Sequence, residues 1–288
     1  MTTSKIETQR GIALVMVLWL LVLMTVIASS HSRNIRTETR LASNHVDSGK
    51  ARHLAEAGVY HSIMEMLVSD NNTRWPADGS LKHIRFDDGE VVISVRDTRG
   101  LVDINKATNA LLDGILAGAG VEDDLQRQRL VDAILDWRDS DNLKHLHGAE
   151  DEDYQIAGLS WGARDGLFTS VEEFRYILGM TNTIYRKLAP YLTVHSGQTG
   201  ISKDFAPPWL AEVINAHPGL SFSTGTTTGQ STYDVNVVAT TAGGTRTSLS
   251  AVVKISNQGK EPYKILSWRS PAQSFAPDAS KNTQQDNA

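Results

Sequence analysis

Apolar residues follow three patterns along this chain, and each predicts a different element. The first is an unbroken run, Ile12 to Ala28, that carries no charge and one hydroxyl, Thr25. As a helix it reaches about 25 Å at 1.5 Å per residue, slightly less than a ~30 Å hydrocarbon core. Ser29 and Ser30 are expected to extend it, giving a membrane segment over 12–30. The second pattern is helical. Ala51, Leu54, Ala55, Gly58, Val59, Ile63, Met66 and Leu67 recur at i, i+3, i+4 spacing, and no proline falls between His31 and Val68. The two patterns merge into one predicted helix, Ile12 to Val68, on the order of 85 Å long. The third pattern is alternation, which predicts strands over 81–86 and 90–96 around Asp88-Gly89. It predicts three more strands at Tyr233 to Thr240, Thr247 to Ile255 and Tyr263 to Arg269.

The polar leader 1–11 sets Lys5 and Arg10 against Glu7, a positive balance that keeps this end cytoplasmic and puts everything after Ser30 outside. Three readings of this start stand side by side: a secretory signal cleaved near Ala28-Ser29-Ser30, a plain signal anchor, and a prepilin-type leader. In the last, a peptidase cuts after a glycine that follows basic residues and leaves the apolar run on the protein. Arg10-Gly11 followed by Ile12-Ala13-Leu14 has that form. The unbroken continuation into an amphipathic helix favours it, because a cleaved signal has no use for one.

Between the two groups of strands, residues 103–195 read as a mainly helical block. Asp103-Ile104-Asn105 is expected to open a helix to Ala117. A Gly118-Ala119-Gly120 turn and a second helix through Leu125, Leu130 and Leu135 follow. Ser170-Val171-Glu172-Glu173 has the form of a capping box and predicts a helix running to Leu178. The order is therefore long helix, strands, helical block, strands. That is an α+β chain in which a helical domain interrupts the sheet, with 31–102 and 196–269 as the two parts of the sheet domain. The segment 270–288 is polar, rich in Pro, Ala and Ser, and expected to be disordered.

Composition narrows the chemistry. There are no cysteines, which excludes disulfides, thiolate metal sites and a cysteine nucleophile. The formal net charge of -5 argues against a polyanionic partner. That charge is concentrated: Asp132 to Tyr154 holds eight acidic residues against Arg138 and Lys144. A solvated acidic face is one account of such a run. The acids fall in two clusters, Asp136, Asp139, Asp141 and Glu150, Asp151, Asp153, and Gly148 lets the loop fold back so that the clusters converge. Convergent hard oxygens suit calcium, with ~6–8 ligands at ~2.3–2.6 Å, although the spacing is not that of an EF-hand. His145 and His147 lack a third nitrogen or sulfur ligand for zinc and read as exposed loop residues.

Catalytic signatures such as G-x-S-x-G, H-E-x-x-H and the P-loop are missing from the sequence, so an enzyme is not expected. The two halves of the helical block resemble helix-hairpin-helix units, which opens an alternative: a signal-anchored or secreted domain that binds DNA backbone. Against it, Glu122, Asp123 and Asp124 follow the first turn and would repel phosphate.

Taken in order, several segments resemble the GspK family of minor pseudopilins of type II secretion systems. They are the leader Arg10-Gly11-Ile12-Ala13-Leu14, Ala51 to Gly58, Asp103-Ile104-Asn105, the acidic block from Asp136-Trp137 to Gly148-Ala149-Glu150-Asp151, and the closing Pro262 to Arg269. The resemblance implies a pilin-like long helix packed on an antiparallel sheet, with a large inserted all-α domain of helix-hairpin-helix or SAM-like type. It implies structural calcium in the acidic loop, held by Asp136, Asp139, Asp141, Glu150, Asp151 and Asp153. It also implies prepilin-peptidase cleavage between Gly11 and Ile12 with N-methylation of the new terminus. The implied location is the inner membrane, with a periplasmic head at the pseudopilus tip; the implied partners are other minor pseudopilins and the major pseudopilin, with no nucleic acid. Two departures stand out. The fifth mature residue, usually a glutamate that neutralises the terminus of the subunit ahead, is Met16, which suits a subunit with none ahead of it. Ser160 to Arg164 lacks the prolines expected after the second acidic cluster.

Overall fold

The computed structural model describes residues 10–68, 70, 73–217, 219–223, 230–256 and 261–270. Helix α1 runs from Arg10 to Met66 without interruption, as the absence of proline allows. The side chains of residues 13–27 are exposed. Among the described residues no helix is long and apolar enough to cross a membrane; Gly11, Ile12 and 28–37 have side chains outside the described set, as do the leader 1–9 and the segment 271–288.

The second half of α1 packs through the face its periodicity predicts. Ala51, Leu54, Ala55, Val59, Ile63 and Met66 are all buried, and each large aliphatic among them contributes roughly 1.5–3 kcal/mol. They meet one face of a five-stranded antiparallel sheet ordered β1-β2-β5-β6-β7, formed by β1 (Asp78–Phe86), β2 (Gly89–Asp97), β5 (Gln230–Thr241), β6 (Arg246–Ser256) and β7 (Tyr263–Arg269). Alternate residues of the central strands, such as Val91, Ile93 and Val95 on β2, point at the helix, as the period of two requires. Gly58 sets the spacing: a Cβ there would lie 2.8 Å from the Cγ1 atoms of both Val91 and Val237.

Strand β2 pairs directly with β5, so residues 98–229 leave the sheet and return to it. They build a second core around Leu112, Ile115, Ile134, Tyr154, Phe174 and Leu188. Its helices are α2 (Asn109–Gly118), α3 (Asp124–Arg138), α4 (Asp151–Ile156), α5 (Asn182–Leu188) and α6 (Pro208–Ala216). A short parallel pair, β3 (Val102–Asp103) with β4 (Leu192–Thr193), closes its base. Helix α6 and Ile201 belong to the same core, so the helical unit extends past residue 195. The unit is tied to the sheet at two points, one at the start of the insertion and one in its middle. Arg99 forms two hydrogen bonds to Asp97, at 2.9 and 2.6 Å, and lies over the Phe205 ring. The Arg269 guanidinium at the end of β7 holds both oxygens of Glu172 at 2.6 and 2.7 Å.

Two local expectations are corrected. Asp103-Ile104-Asn105 does not start a helix: residues 102–103 form β3, and the Asn105 side chain bridges to the Phe168 backbone at 2.8 and 3.0 Å. Thr108 caps α2 instead, its hydroxyl accepting from the Leu111 amide. Ser170 does not cap an α-helix either. Glu173, the reciprocal partner in a capping box, accepts from the Thr169 amide at 3.1 Å and from Arg164 at 3.0 Å. Residues Val171–Tyr176 wind as a 3-10 turn with no Ser170 side-chain cap.

Candidate metal centre

The acidic block is built on the last turns of α3. Asp132 and Asp136, four residues apart, lie on one helix face and act as acceptors for the loop that follows. The Asp132 carboxylate accepts from the His147 amide at 3.0 Å. That of Asp136 accepts from the His145 amide at 3.1 Å and the Ala149 amide at 2.7 Å. The His145 ring Nδ1 also contacts Asp136 Oδ1. The loop lies so close to Asp136 that only glycine fits at 148, where a Cβ would fall 1.8 Å from Asp136 Oδ2. Gly162 has the same relation to Asp151 Oδ1. The fold-back that the sequence led us to expect at Gly148 is thus present.

The loop delivers Glu150 to the N-terminus of α4, 8 % exposed, where its carboxylate faces the Asp153 amide across a capping box without reaching hydrogen-bond geometry. Burial, followed by the negative fields of Asp136, Asp165, Asp139 and Asp151, pushes its carboxyl up to about 7. Asp139 is raised too, by burial and then by Asp141 and Asp136, and its Oδ1 is buried without a partner. The nearby cations do not relieve this. Arg138 turns to the other side of α3 and donates to the carbonyls of Ile104 and Ala107, while Lys144 pairs with Asp153 at 2.5 Å. Beneath the site, Tyr154 is fully buried against Trp137, and its hydroxyl accepts from the Leu178 amide at 3.1 Å.

Of the residues singled out from sequence, Asp136, Asp139, Glu150 and Asp151 share one electrostatic neighbourhood. Asp141 is exposed and caps its own turn by accepting from the Leu143 amide. Asp153 is engaged in holding α4, accepting from the Glu150 amide at 2.9 Å as well as from Lys144. Three contributors went unforeseen. Asp132 is an acceptor for the loop. His145, read as an exposed loop residue, forms with Asp136 and Asp139 a group whose donor atoms lie within 4.8 Å of one another. Asp165 acts on Glu150 from outside the block and is the one non-glycine residue with positive φ, 53°, among those described; its Asp-Gly dipeptide is a turn signal that could have drawn attention to it.

Crowded, buried and unpaired carboxylates are costly unless a cation compensates them. The donor set fits a hard divalent ion: several carboxylate oxygens on an irregular loop, two of them on Glu150 without a partner.

Comparison with known proteins covers this part of the chain. Residues 10–59 match the family model described as PilX N-terminal. Residues 93–197, which include the acidic block, match the model for Type II secretion system (T2SS), protein K. The type II secretion system protein K of Aeromonas hydrophila is 29% identical over 212 residues, covering 64% of this chain and 63% of that protein. The protein K of Klebsiella pneumoniae is 27% identical, covering 66% and 64%. The chain thus spans just under two thirds of the length of these relatives. The fold is similar to a chain in the crystal structure of the GspK-GspI-GspJ complex from enterotoxigenic Escherichia coli, with a TM-score of 0.58 at 12% identity over 83% of this chain and 100% of that one. The chain is thus similar to type II secretion system protein K over residues 93–197 and to these relatives over about two thirds of its length.

Proposed function

We propose that this chain is a non-enzymatic minor pseudopilin. It sits at the tip of a periplasmic pseudopilus and starts pseudopilus assembly together with other minor pseudopilins, ahead of the major pseudopilin. The observation that carries the reading is a long apolar-then-amphipathic helix laid on a sheet that a helical unit interrupts; it is supported by the overall likeness of the fold to a chain of the GspK-GspI-GspJ structure over 83% of this chain. In this reading the apolar half of α1 lies in the inner membrane, and prepilin peptidase frees Ile12 from Gly11. The exposed Leu41, Val46 and Met64 of α1 pack beside the helices of partner subunits. The inserted unit is of helix-hairpin-helix type and binds structural calcium through its acidic block. The residues that would hold calcium are Glu150, Asp136, Asp139 and Asp151, with Asp165 near enough to contribute; bound calcium would supply the positive charge that these groups lack.

The DNA-binding alternative gains nothing from the geometry. Beside the first hairpin turn, Arg127 is already engaged by Asp113, Asp124 and the carbonyls of Val121 and Glu122. The discriminating experiment is mass spectrometry of the N-terminal peptide from the native membrane. An N-methylated peptide that begins at Ile12 is expected, and one that begins at His31 would remove the helix on which the assembly role depends.

A further inference from the structure

A cleft of about 580 Å³ opens on the helical unit between α3, the loop that follows it and the turn at Leu178-Gly179. Its apolar walls come from Leu125, Leu146 and Leu178, and its titratable lining groups are Arg129, Lys144 and His147, with no carboxylate among them. Apolar walls, a few polar groups and a volume of roughly 300–1,000 Å³ are the usual form of a binding site. Two parts of this wall are unfinished. Leu146 is 88% exposed and Leu125 44%, so their apolar surface is left to solvent. Arg129 is exposed and pairs with no carboxylate among the described residues. The neighbouring acids are committed elsewhere: Asp132 and Asp136 accept the amides of the loop, and Asp153 takes Lys144.

We propose that this cleft docks an extended segment of a second protein in which an apolar side chain stands next to a carboxylate. The apolar side chain fills the space between Leu125, Leu146 and Leu178. The carboxylate takes the Arg129 guanidinium, whose planar fork matches it with two charge-assisted hydrogen bonds. Charge selects the occupant: a cationic segment would meet Arg129 and Lys144 with no acid in the lining to receive it, and a purely apolar one would leave Arg129 unpaired as the cleft closes over it. A peptide backbone can come close because the walls at Gly148 and Gly179 carry no side chain. The inference goes beyond the assembly reading and does not depend on which ion, if any, the acidic block holds.

The test is fluorescence anisotropy of three amidated hexapeptides, each with a neutral dye at its N-terminus, titrated with the full chain in detergent micelles and with empty micelles as the blank. The peptides are Gly-Ser-Leu-Phe-Asp-Glu, the cationic Gly-Ser-Leu-Phe-Lys-Lys and the polar Gly-Ser-Ser-Ser-Asp-Glu. Wild type is expected to bind the first at least tenfold more tightly than either of the others. Arg129→Gln and Leu146→Ser, both at exposed positions, should each weaken that binding at least fivefold. Gln128→Glu changes the net charge by the same amount as Arg129→Gln from the next position on α3, outside the cleft lining, and should stay within twofold of wild type. Absence of saturable binding of the first peptide up to about 1 mM overturns the proposal. So does equal affinity for the cationic peptide, unchanged affinity in Arg129→Gln or Leu146→Ser, or a loss in Gln128→Glu equal to that in Arg129→Gln, which would make the effect one of net charge alone. A chain ending at Ser270 decides the source of the occupant. Affinity equal to that of the full chain leaves the cleft to a second protein, whereas affinity at least tenfold higher would mean that residues 271–288 compete for it, and the proposal would fall.

Discussion

Glu150 provides the sharpest test of the cation reading, because replacing it should stabilise the protein in one condition and weaken it in another. A carboxyl held at about 7 in the fold, against an ordinary value of 4.5, stays protonated while the same group in the unfolded chain ionises. Unfolding then releases a proton, so stability falls as pH rises from about 4.5 and levels off above about 7. At 1.36 kcal/mol per tenfold change in proton affinity, the loss reaches roughly 3 kcal/mol at pH 8. Asp139 and His145 are raised as well and add to the fall in the same direction, so the pH profile of wild type alone does not isolate Glu150. The difference between wild type and Glu150→Gln does. With chelator present, the variant should be more stable than wild type at pH 8 by up to about 3 kcal/mol, a shift on the order of 10 °C for a cooperative unit of this size, and equal to it near pH 4. With calcium at a thousand times its dissociation constant, wild type gains about 4 kcal/mol and the order reverses, because the variant has lost a ligand. Thermal unfolding followed by tryptophan fluorescence, with chelator and with calcium at both pH values, reads all four corners. A variant less stable than wild type at pH 8 in chelator would refute the argument that Glu150 is an uncompensated charge.

Two further outcomes follow from the geometry of the loop. Asp153→Ala should cost about 1 kcal/mol of stability, since it removes an N-terminal acceptor of α4 and a half-exposed ion pair. Its calcium affinity by titration calorimetry should fall less than tenfold, and a larger loss would restore Asp153 as a ligand. Gly148→Ala puts a Cβ within 1.8 Å of Asp136 Oδ2 and must displace either the carboxylate or the loop. Calcium-induced stabilisation should disappear while far-ultraviolet circular dichroism still reports the long helix; retention of the calcium response would show that the loop tolerates a path other than the one described.

The elements legible in the sequence are those whose pattern is enforced by a single large surface. The buried face of α1 and the alternation of β2 both answer to the one interface between helix and sheet, and their periods gave the buried residues one by one. The errors fall where a polar side chain has two local options and tertiary structure chooses between them. Asn105 resembles a helix start but reaches 63 residues along the chain to the Phe168 backbone. Glu173 resembles the far half of a capping box but binds Thr169 and Arg164. In the acidic block, the sequence pointed to a loop that folds back at Gly148 onto the end of α3 but not to the division of labour among its acids. Nothing local says that Asp153 faces Lys144 or that His145 faces Asp136. Asp165 comes to Glu150 from a turn beyond α4, which sequence spacing does not encode.

The same division shows what a cation would do in this loop. Ordering a residue costs about 1–2 kcal/mol of backbone entropy, and loops commonly offset it by burying apolar anchors. Here the obvious anchors point outward: Leu143 is 77% exposed and Leu146 88%. A disulfide is unavailable to a chain without cysteine. What remains are backbone amides donated to Asp132 and Asp136, two carboxylates that carry charge into the wall of a second core. Those hydrogen bonds are strongest when the acceptors are ionised, yet ionising Asp136 raises Glu150 and Asp139 beside it. On the proposed reading a bound divalent ion would resolve the conflict, because it would let all the carboxylates be charged at once and would cross-link α3, the loop and the start of α4. With such an ion bound, the acidic block would act as a staple of the helical unit.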